Sequence, residues 1–214
     1  MFTYSIPYRV ALYLVIAAHI AGFIGLQVIF LRPLFELLIP FNLVFTALLL
    51  FSQHRDWGIP FFVFTVLATL GGFFLEVLGV HSKIIFGDYW YEYALGAGLF
   101  GVPFTIGLNW WVLVYVCGIM AQKTGLPTLP KVLIGASLMT FLDVWIEQVA
   151  MQYHFWDWAG KIVPLQNYVA WFIASACLLY AFFRLSFHKE NKLAVWVYGA
   201  QLAFFVAHNL MMLL

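Results

Sequence analysis

The chain has 214 residues, of which 65% are hydrophobic and only 9% are charged. About 25% of the residues in a typical soluble domain are charged, so this composition excludes an ordinary soluble protein and predicts an integral membrane protein. The formal net charge of +1 gives no indication of a polyanionic partner, and we expect no nucleic-acid binding.

Apolar segments of roughly 20 residues are long enough to cross a bilayer as helices. The sequence contains seven, at about 10–31, 34–51, 60–79, 100–121, 131–151, 167–187 and 193–214. The first is too long for the apolar core of a signal peptide, so we expect it to be retained. The sequence therefore predicts an all-α, polytopic integral membrane protein in which residues 1–214 form a single transmembrane domain.

The basic residues indicate an orientation in the membrane. Seven fall on one side of the predicted helices, namely Arg9, Arg55, Lys123, Lys131, Arg184, Lys189 and Lys192. Three fall on the other side, namely Arg32, Lys83 and Lys161. By the positive-inside rule we expect a multi-pass protein of the inner (cytoplasmic) membrane with a cytoplasmic N-terminus.

Two predicted outward loops are rich in Tyr and Trp. They are residues 81–99, "HSKIIFGDYWYEYALGAGL", and residues 152–166, "QYHFWDWAGKIVPLQ". Aromatic rings at this depth are typical of the belt that anchors a protein at the membrane interface. Because both loops also contain acids and glycines, the alternative is that they form a lid over a pocket.

The third and fifth predicted helices resemble each other. "FLEV" at 74–77 contains Glu76, and "FLDV" at 141–144 contains Asp143. Each is followed by an aromatic loop, then Val-Pro, then a Trp seven residues beyond the proline; the pairs are Pro103 with Trp110 and Pro164 with Trp171. An internal parallel repeat of helices 3–4 and 5–6 would make Glu76 and Asp143 equivalent, and the junction of such repeats often holds a binding site.

The acids inside the apolar segments are the strongest functional signal. Asp143 and Glu147 lie four residues apart and therefore on one face of a helix. An ionised acid at a helix centre costs about 2.5–3.5 kcal/mol on insertion scales, so we expect at least one of the two to be a neutral acid that carries a proton. Glu76 lies at a similar depth near the outer end of the third helix.

Other polar residues share this depth in the outer half of the bilayer. They are Gln27, Asn109, Asn167, His208 and Asn209, while His19 lies nearer the middle. Intramembrane His and Gln often make hydrogen bonds between helices, which is our interpretation of His19 and Gln27. The remaining set predicts one apolar, ring-lined chamber in which several protonatable side chains meet.

Several alternative chemistries lack their residues. A retinal-type protein needs a lysine in its last helix, and none follows Lys192; the six histidines form no HxxxH or HxxHH box. The sequence contains no GxSxG, P-loop or GxGxxG motif. Asp143 and Glu147 loosely match the magnesium-diphosphate motifs of intramembrane prenyltransferases, but the outer side offers only three basic residues for phosphates.

Two segments of the chain together resemble a known family. They read "FLEVLGVHSKIIFGDYWYEYALG…GVPFTIGLNWW" and "FLDVWIEQVA…FWDW…VPLQNYVAWF". Over about residues 60–187 the chain resembles the CruF-type carotenoid 1',2'-hydratases of the carotenoid biosynthesis protein family, in particular their Bacteroidota branch. It departs at Gln148, where many members have a proline, and at residues 160–163, "GKIV", where a tyrosine-glycine character is typical.

The resemblance implies addition of water to the terminal isopropylidene double bond of an acyclic carotenoid end, as in γ-carotene or lycopene. The motif positions that it carries over are Glu76, Gly87, Tyr89, Tyr91, Pro103, Trp110, Asp143, Glu147, Trp156, Trp158, Pro164, Asn167 and Trp171. The residue chemistry suits the reaction, because an acid must protonate C-2' and a tertiary cation then forms at C-1'. Indole and phenol faces stabilise such a cation by about 0.5–2 kcal/mol each.

We therefore predict Asp143 as proton donor, with Glu147 and Glu76 as partner acid and water-orienting base; His208 is an alternative activator of the water. The predicted substrate-binding residues are Tyr89, Tyr91, Asn109, Trp110, Trp156, Asn167, Trp171 and His208. The reaction calls for no cofactor and no metal. The expected partners are the carotenoid, the lipid bilayer and, by association, other enzymes of carotenoid biosynthesis.

Two alternatives to the hydratase stay open. One is another carotenoid-modifying membrane enzyme, a cyclase or a prenyltransferase, since these also handle tertiary cations. The other is a non-catalytic protein that binds a carotenoid and presents it to partners. The mass of the pigment separates them, because hydration adds one water, cyclisation adds nothing and prenylation adds five carbons.

Overall fold

The computed structural model describes residues 6–214. Seven helices dominate it: α1 (Tyr8–Gln27), α2 (Arg32–Ser52), α3 (Ile59–Ser82), α4 (Phe104–Gln122), α5 (Thr128–Gln152), α6 (Leu165–Arg184) and α7 (Ala194–Met212). All seven are long and apolar enough to cross a membrane. The predicted all-α polytopic architecture is confirmed.

Two helix ends differ from the prediction by four residues because apolar residues continue into turns, while the other ends differ by three residues or fewer. The prediction extends α1 to residue 31, but the helix ends at Gln27 because the backbone of Val28 is extended. The next helix follows at once, with Pro33 in its first turn. α4 begins at Phe104 rather than at residue 100, because Pro103 is its N-cap residue. Hydrophobicity alone does not mark these ends.

Helix α4 is the centre of the bundle. It packs against α2, α3, α5, α6 and α7, and thirteen of its nineteen residues are buried. Its contact with α3 depends on Gly72, where an added Cβ would lie 2.3 Å from the Trp110 side chain. The small residue lets the indole pack directly on the α3 backbone.

The two longest connections, residues 83–103 and 153–164, lie at the same end of the bundle, which we call the long-loop end. They contain four short strands that the sequence analysis treated as loop: β1 (Tyr89–Tyr91), β2 (Gly98–Leu99), β3 (Val102–Pro103) and β4 (Trp156–Trp158). β2 and β3 form a small hairpin, whereas β1 pairs antiparallel with β4 of the other connection. Each connection also has one 3₁₀ turn, Tyr93–Leu95 and Ala159–Lys161.

The pairing of β1 with β4 has the register that a two-fold axis requires. Tyr89 lies opposite Trp158, Trp90 opposite Asp157 and Tyr91 opposite Trp156. If Glu76 corresponds to Asp143, the central pair Trp90 and Asp157 are also equivalent, since each lies fourteen residues further along the chain. The two connections thus meet where symmetry would place a repeat axis.

Gly87 allows the two connections to approach closely. Its φ is +122°, in the region that favours glycine. A Cβ there would lie 2.7 Å from the Pro164 ring and 3.2 Å from Trp158. The position carried over by the resemblance therefore has a local steric reason.

Candidate functional site

Glu76 is buried near the end of α3 and accepts three hydrogen bonds. The Tyr89 and Tyr91 hydroxyls donate to its Oε2, at 2.5 and 2.9 Å, and the Trp110 Nε1 donates to its Oε1 at 3.0 Å. Burial raises the pKa of both phenols, so they remain protonated donors. The strand period of two puts both tyrosines of β1 on the side that faces Glu76.

Glu147 has a matching environment near the end of α5. Its Oε2 accepts hydrogen bonds from the Nε1 of Trp156, at 2.9 Å, and of Trp158, at 2.7 Å. Its Oε1 accepts one from the Asn167 Nδ2 at 2.9 Å. The two indoles come from β4. Each of the paired strands therefore supplies two hydrogen-bond donors to one carboxyl group, β1 to Glu76 and β4 to Glu147.

Asp143 lies one helical turn before Glu147 and is only 1% exposed. Its Oδ2 accepts a hydrogen bond from the Asn167 Nδ2 at 3.0 Å, while its Oδ1 is buried without a partner. Because that nitrogen also donates to Glu147, its two hydrogens connect the two acids. Asn167 therefore couples Asp143 to Glu147.

A small cavity of about 20 Å³ lies between the two glutamates. Its lining comprises Glu76, Phe86, Tyr89, Tyr91, Ile106, Asn109, Trp110, Glu147, Trp156, Trp158, Asn167 and Trp171. A cavity needs roughly 10–15 Å³ and a few polar partners to hold one water, so this one has room for a single water molecule. Asp143 does not line it.

Stacked aromatic rings form much of the chamber wall. Trp110 and Trp171 stack with ring centres 4.3 Å apart and planes 15° apart. Tyr89 packs against Trp158 at 4.9 Å, and Tyr91 meets Trp156 edge-on at 6.0 Å. All of these rings except Trp158 belong to the predicted substrate-binding residues.

A much larger cavity, of about 560 Å³, adjoins the small one. It is enclosed mainly by apolar residues of α1, α2, α4, α5 and α7. Ile106, Asn109 and Trp156 line both cavities and therefore form the wall between them. Asn109 is only partly buried, and its amide makes no hydrogen bond within residues 6–214, so it is free to face either side.

His208 lies apart from the acids. Its Nδ1 accepts hydrogen bonds from the Gln27 Nε2 at 2.9 Å and the Tyr153 hydroxyl at 3.1 Å. It packs against Phe23 and Phe204 and lines neither of the two cavities. The structure thus brings together every predicted site residue except His208, with Asp143 joined only through Asn167.

Two features of the site were missed or underweighted by sequence reasoning. Trp158 was not among the predicted binding residues, although its spacing of two from Trp156 fits one face of a strand. The large cavity was missed because its lining comes from five separate helices. Its few polar residues include Asn42, Thr46 and Gln201, which no motif marks.

The three acids of the site, Glu76, Asp143 and Glu147, have only neutral hydrogen-bond partners within the described residues. In the described part of the chain, every ion pair is formed by the loop acids Asp88, Glu92, Asp157 or Glu190. Residues 6–214 contain no cluster of three His, Cys, Asp or Glu side chains that could hold a metal ion. The arrangement can therefore store and move protons beside an apolar cavity.

The fold and the site define a multi-pass membrane protein with buried carboxyl groups next to an apolar cavity. The sequence profile described as carotenoid biosynthesis protein matches residues 34–214, and the chain belongs to that family. This is the family that the sequence resemblance named. Comparisons with curated proteins and with solved structures give no match.

Proposed function

We propose that the protein is a carotenoid 1',2'-hydratase that adds water to the terminal isopropylidene double bond of an acyclic carotenoid end, as in γ-carotene or lycopene. One observation carries the proposal. A chamber with room for one water, lined by two carboxyl groups, adjoins an apolar cavity of about 560 Å³. The two cavities suit the two reactants, which differ in size and polarity.

The substrate end would lie in the large cavity against the wall formed by Ile106, Asn109 and Trp156. Ligand pockets of roughly 300–1,000 Å³ with few polar groups are typical for apolar small molecules. The double bond would then face the small chamber across the Asn109 side chain, whose amide makes no hydrogen bond within residues 6–214. Rotation of this amide would open the contact between alkene and water.

The proton would come from the pair formed by Asp143 and Glu147. Two ionised carboxylates joined only by the Asn167 amide would be costly at membrane depth, so the pair holds at least one proton. Glu147 lines the small chamber and Asp143 does not. We therefore infer that Glu147 delivers the proton to C-2', and that Asp143 positions Glu147 through Asn167.

Water would add to the cation at C-1', keep one hydrogen as the hydroxyl of the product and release the other as a proton to Glu76. One O–H bond of water breaks, a C–O bond and a C–H bond form, and the net change is addition of H and OH across the double bond. Glu147 has then lost a proton and Glu76 has gained one, so a proton exchange resets the site. The stacked Trp110 and Trp171 and the Tyr89 and Tyr91 rings would stabilise the cation by about 0.5–2 kcal/mol each.

The cellular setting is part of the proposal. The positive-inside rule places the long-loop end outside the inner membrane. Six of the seven basic residues in the larger group lie in loops or helix ends at the opposite end of the bundle, and the seventh, Arg9, lies in the first turn of α1 at that same opposite end. A carotenoid would reach the cavity from the lipid. Other enzymes of carotenoid biosynthesis would supply it from the same membrane.

The direct test is expression in a bacterium that makes lycopene or γ-carotene, with the pigments separated and weighed by mass spectrometry. A product heavier by one water supports the hydratase. An isomer of unchanged mass indicates a cyclase, a gain of five carbons a prenyltransferase, and unchanged pigment that copurifies with the protein a binding protein. Any of these three results overturns the proposal.

A further inference from the structure

A second apolar cavity, of about 490 Å³, lies between α1 and α7, outside the site described above. Its lining is Ile16, His19, Ile20, Phe23, Trp196, Gly199, Ala200, Ala203, Phe204 and Ala207. The α7 side consists largely of small residues, and a Cβ added to Gly199 would meet no atom within 4 Å. We call this cavity the α1/α7 groove.

The groove is continuous with the large cavity. His19 and Phe204 line both, with their rings edge-to-face and 6.2 Å between centres. His19 is only 9% exposed; its Nδ1 donates to the Val15 carbonyl oxygen at 2.8 Å, and its Nε2 has no partner within the described residues. His19 and Phe204 therefore separate the large cavity from the α1/α7 groove, and one ring nitrogen of His19 makes no hydrogen bond within the described residues.

The large cavity by itself is too short for a whole carotenoid. It follows α2 from Phe35 to Thr46, which is about 16 Å at 1.5 Å per residue. A carotenoid is long enough to span the hydrocarbon core of a bilayer, roughly 30 Å. Most of the chain behind the reacting end must therefore lie elsewhere.

We propose that the α1/α7 groove binds the distal isoprenoid chain of the substrate, with His19 and Phe204 forming the passage between the two cavities. The inference rests on the proposed function for the identity of the substrate. The main competing exit is the face of α2, where Leu38 and Phe41 line the large cavity and are exposed. The groove is favoured because it provides a second preformed concave surface that shares His19 and Phe204 with the large cavity.

Photo-crosslinking tests this placement without requiring turnover. Ala203 in the groove, Leu38 on α2 and Val195 on α7 outside the groove would each be replaced by p-benzoylphenylalanine in cells that make lycopene. After irradiation, mass spectrometry should find the carotenoid adduct on the protein modified at 203 and little at 195. An adduct at 38 is expected as well, because Leu38 lines the large cavity that holds the reacting end. An adduct at 38 without one at 203, equal adducts at 203 and 195, or none at 203 overturns the proposal.

Substitution of Ala203→Trp tests the same site by activity. The indole would fill the groove, and we expect the hydrated product to fall by about tenfold or more, since one methylene in a hydrophobic pocket is worth about 10–200-fold. Val195→Trp adds the same side chain to the same helix outside the groove and should leave product unchanged. Unchanged product in Ala203→Trp contradicts the proposal.

The two proposals can fail separately. An adduct at 203 in a protein that gives no hydrated pigment retains the groove as a carotenoid site and removes the hydratase. Hydrated product together with an adduct only at 38 retains the hydratase and removes the groove.

Discussion

Glu76 and Glu147, the two glutamates that line the small cavity, have similar environments made of different hydrogen-bond donors. Glu76 accepts hydrogen bonds from two phenols and one indole, whereas Glu147 accepts them from two indoles and one amide. Tyr89 follows Glu76 by thirteen residues, and Trp156 follows Asp143 by the same number. By that spacing Asp143 is the counterpart of Glu76, yet the β4 indoles bond to Glu147, one turn later.

If the two halves are a repeat, this difference indicates how its two copies can take different roles. In the first half one acid receives all the donors. In the second half the two indoles donate to a second acid, Glu147. Asp143 keeps a single hydrogen bond and one oxygen that has no partner within the described residues. Two acids in identical surroundings would have no reason to act one as proton donor and the other as proton acceptor. The different hydrogen-bond partners of Glu76 and Glu147 provide the asymmetry that these two roles need.

The largest expected effect comes from removing either carboxyl that lines the small chamber. Glu147→Gln and Glu76→Gln keep the side-chain size but cannot exchange a proton. Because general acid or base catalysis contributes about 10²–10⁴-fold, hydrated product should fall by that order in each variant. The measurement is the ratio of hydrated to unmodified pigment, with protein level checked by immunoblot.

Asp88→Asn is the matched control for these two variants. Asp88 is an acid of the same long-loop end, but its side chain is exposed and pairs with Lys83. It should retain full activity. Activity in either glutamine variant equal to that of the control would remove that glutamate from the mechanism.

The tyrosines sharpen the comparison from the donor side. Tyr91→Phe removes one of the three donors to Glu76 and nothing else that is polar. Loss of one donor to a buried acceptor costs about 1–3 kcal/mol, so product should fall by about tenfold to a hundredfold. Trp90→Phe, on the opposite face of the same strand and 46% exposed, should change product little; a similar loss in both variants would mean that the strand, rather than the hydrogen bond, matters.

The sequence predicted the membrane fold and most of the site from local signals. Acids in apolar segments are rare enough to stand out, and the match of "FLEV" with "FLDV" drew attention to Glu76 and Asp143. Depth along a helix grouped the acids but also included His208, because depth does not report the direction in which a side chain points. His208 instead bonds to Gln27 and Tyr153 on the α1 and α7 side.

Other features depend on contacts between distant segments. The pairing of β1 with β4 joins residues more than sixty positions apart, and no turn signal connects them. The large cavity is likewise an empty volume between five helices, which hydropathy cannot reveal. The choice between Asp143 and Glu147 as the acid that faces the chamber required the positions of Trp156, Trp158 and Asn167.

Gly72 tests how far the Glu76 site depends on the close packing of α3 against Trp110. An added Cβ would overlap the Trp110 side chain, which donates to Glu76. Gly72→Ala should therefore destabilise the fold by about 1–3 kcal/mol and displace the indole, with product reduced by about tenfold. Thermal unfolding in detergent measures the first effect and pigment analysis the second.

Gly199→Ala is the control for Gly72→Ala, since it makes the same change inside a helix where a Cβ meets nothing within 4 Å. The better helix propensity of alanine should leave its stability unchanged or raised, by up to about 1 kcal/mol. Equal melting temperatures of the two variants would show that the Gly72 contact does not limit stability.

The smallest effect is expected for Asp143, and it separates the two assignments of the acid. If Asp143 acts only through the Asn167 amide, Asp143→Asn should lower product by about threefold to tenfold, because an amide oxygen accepts the Asn167 hydrogen bond more weakly than a carboxylate does. The same substitution in an Asn167→Leu background should then have little further effect, because the connection is already broken. A loss as large as that of Glu147→Gln, in both backgrounds, would instead make Asp143 the direct proton donor, as the sequence alone indicated.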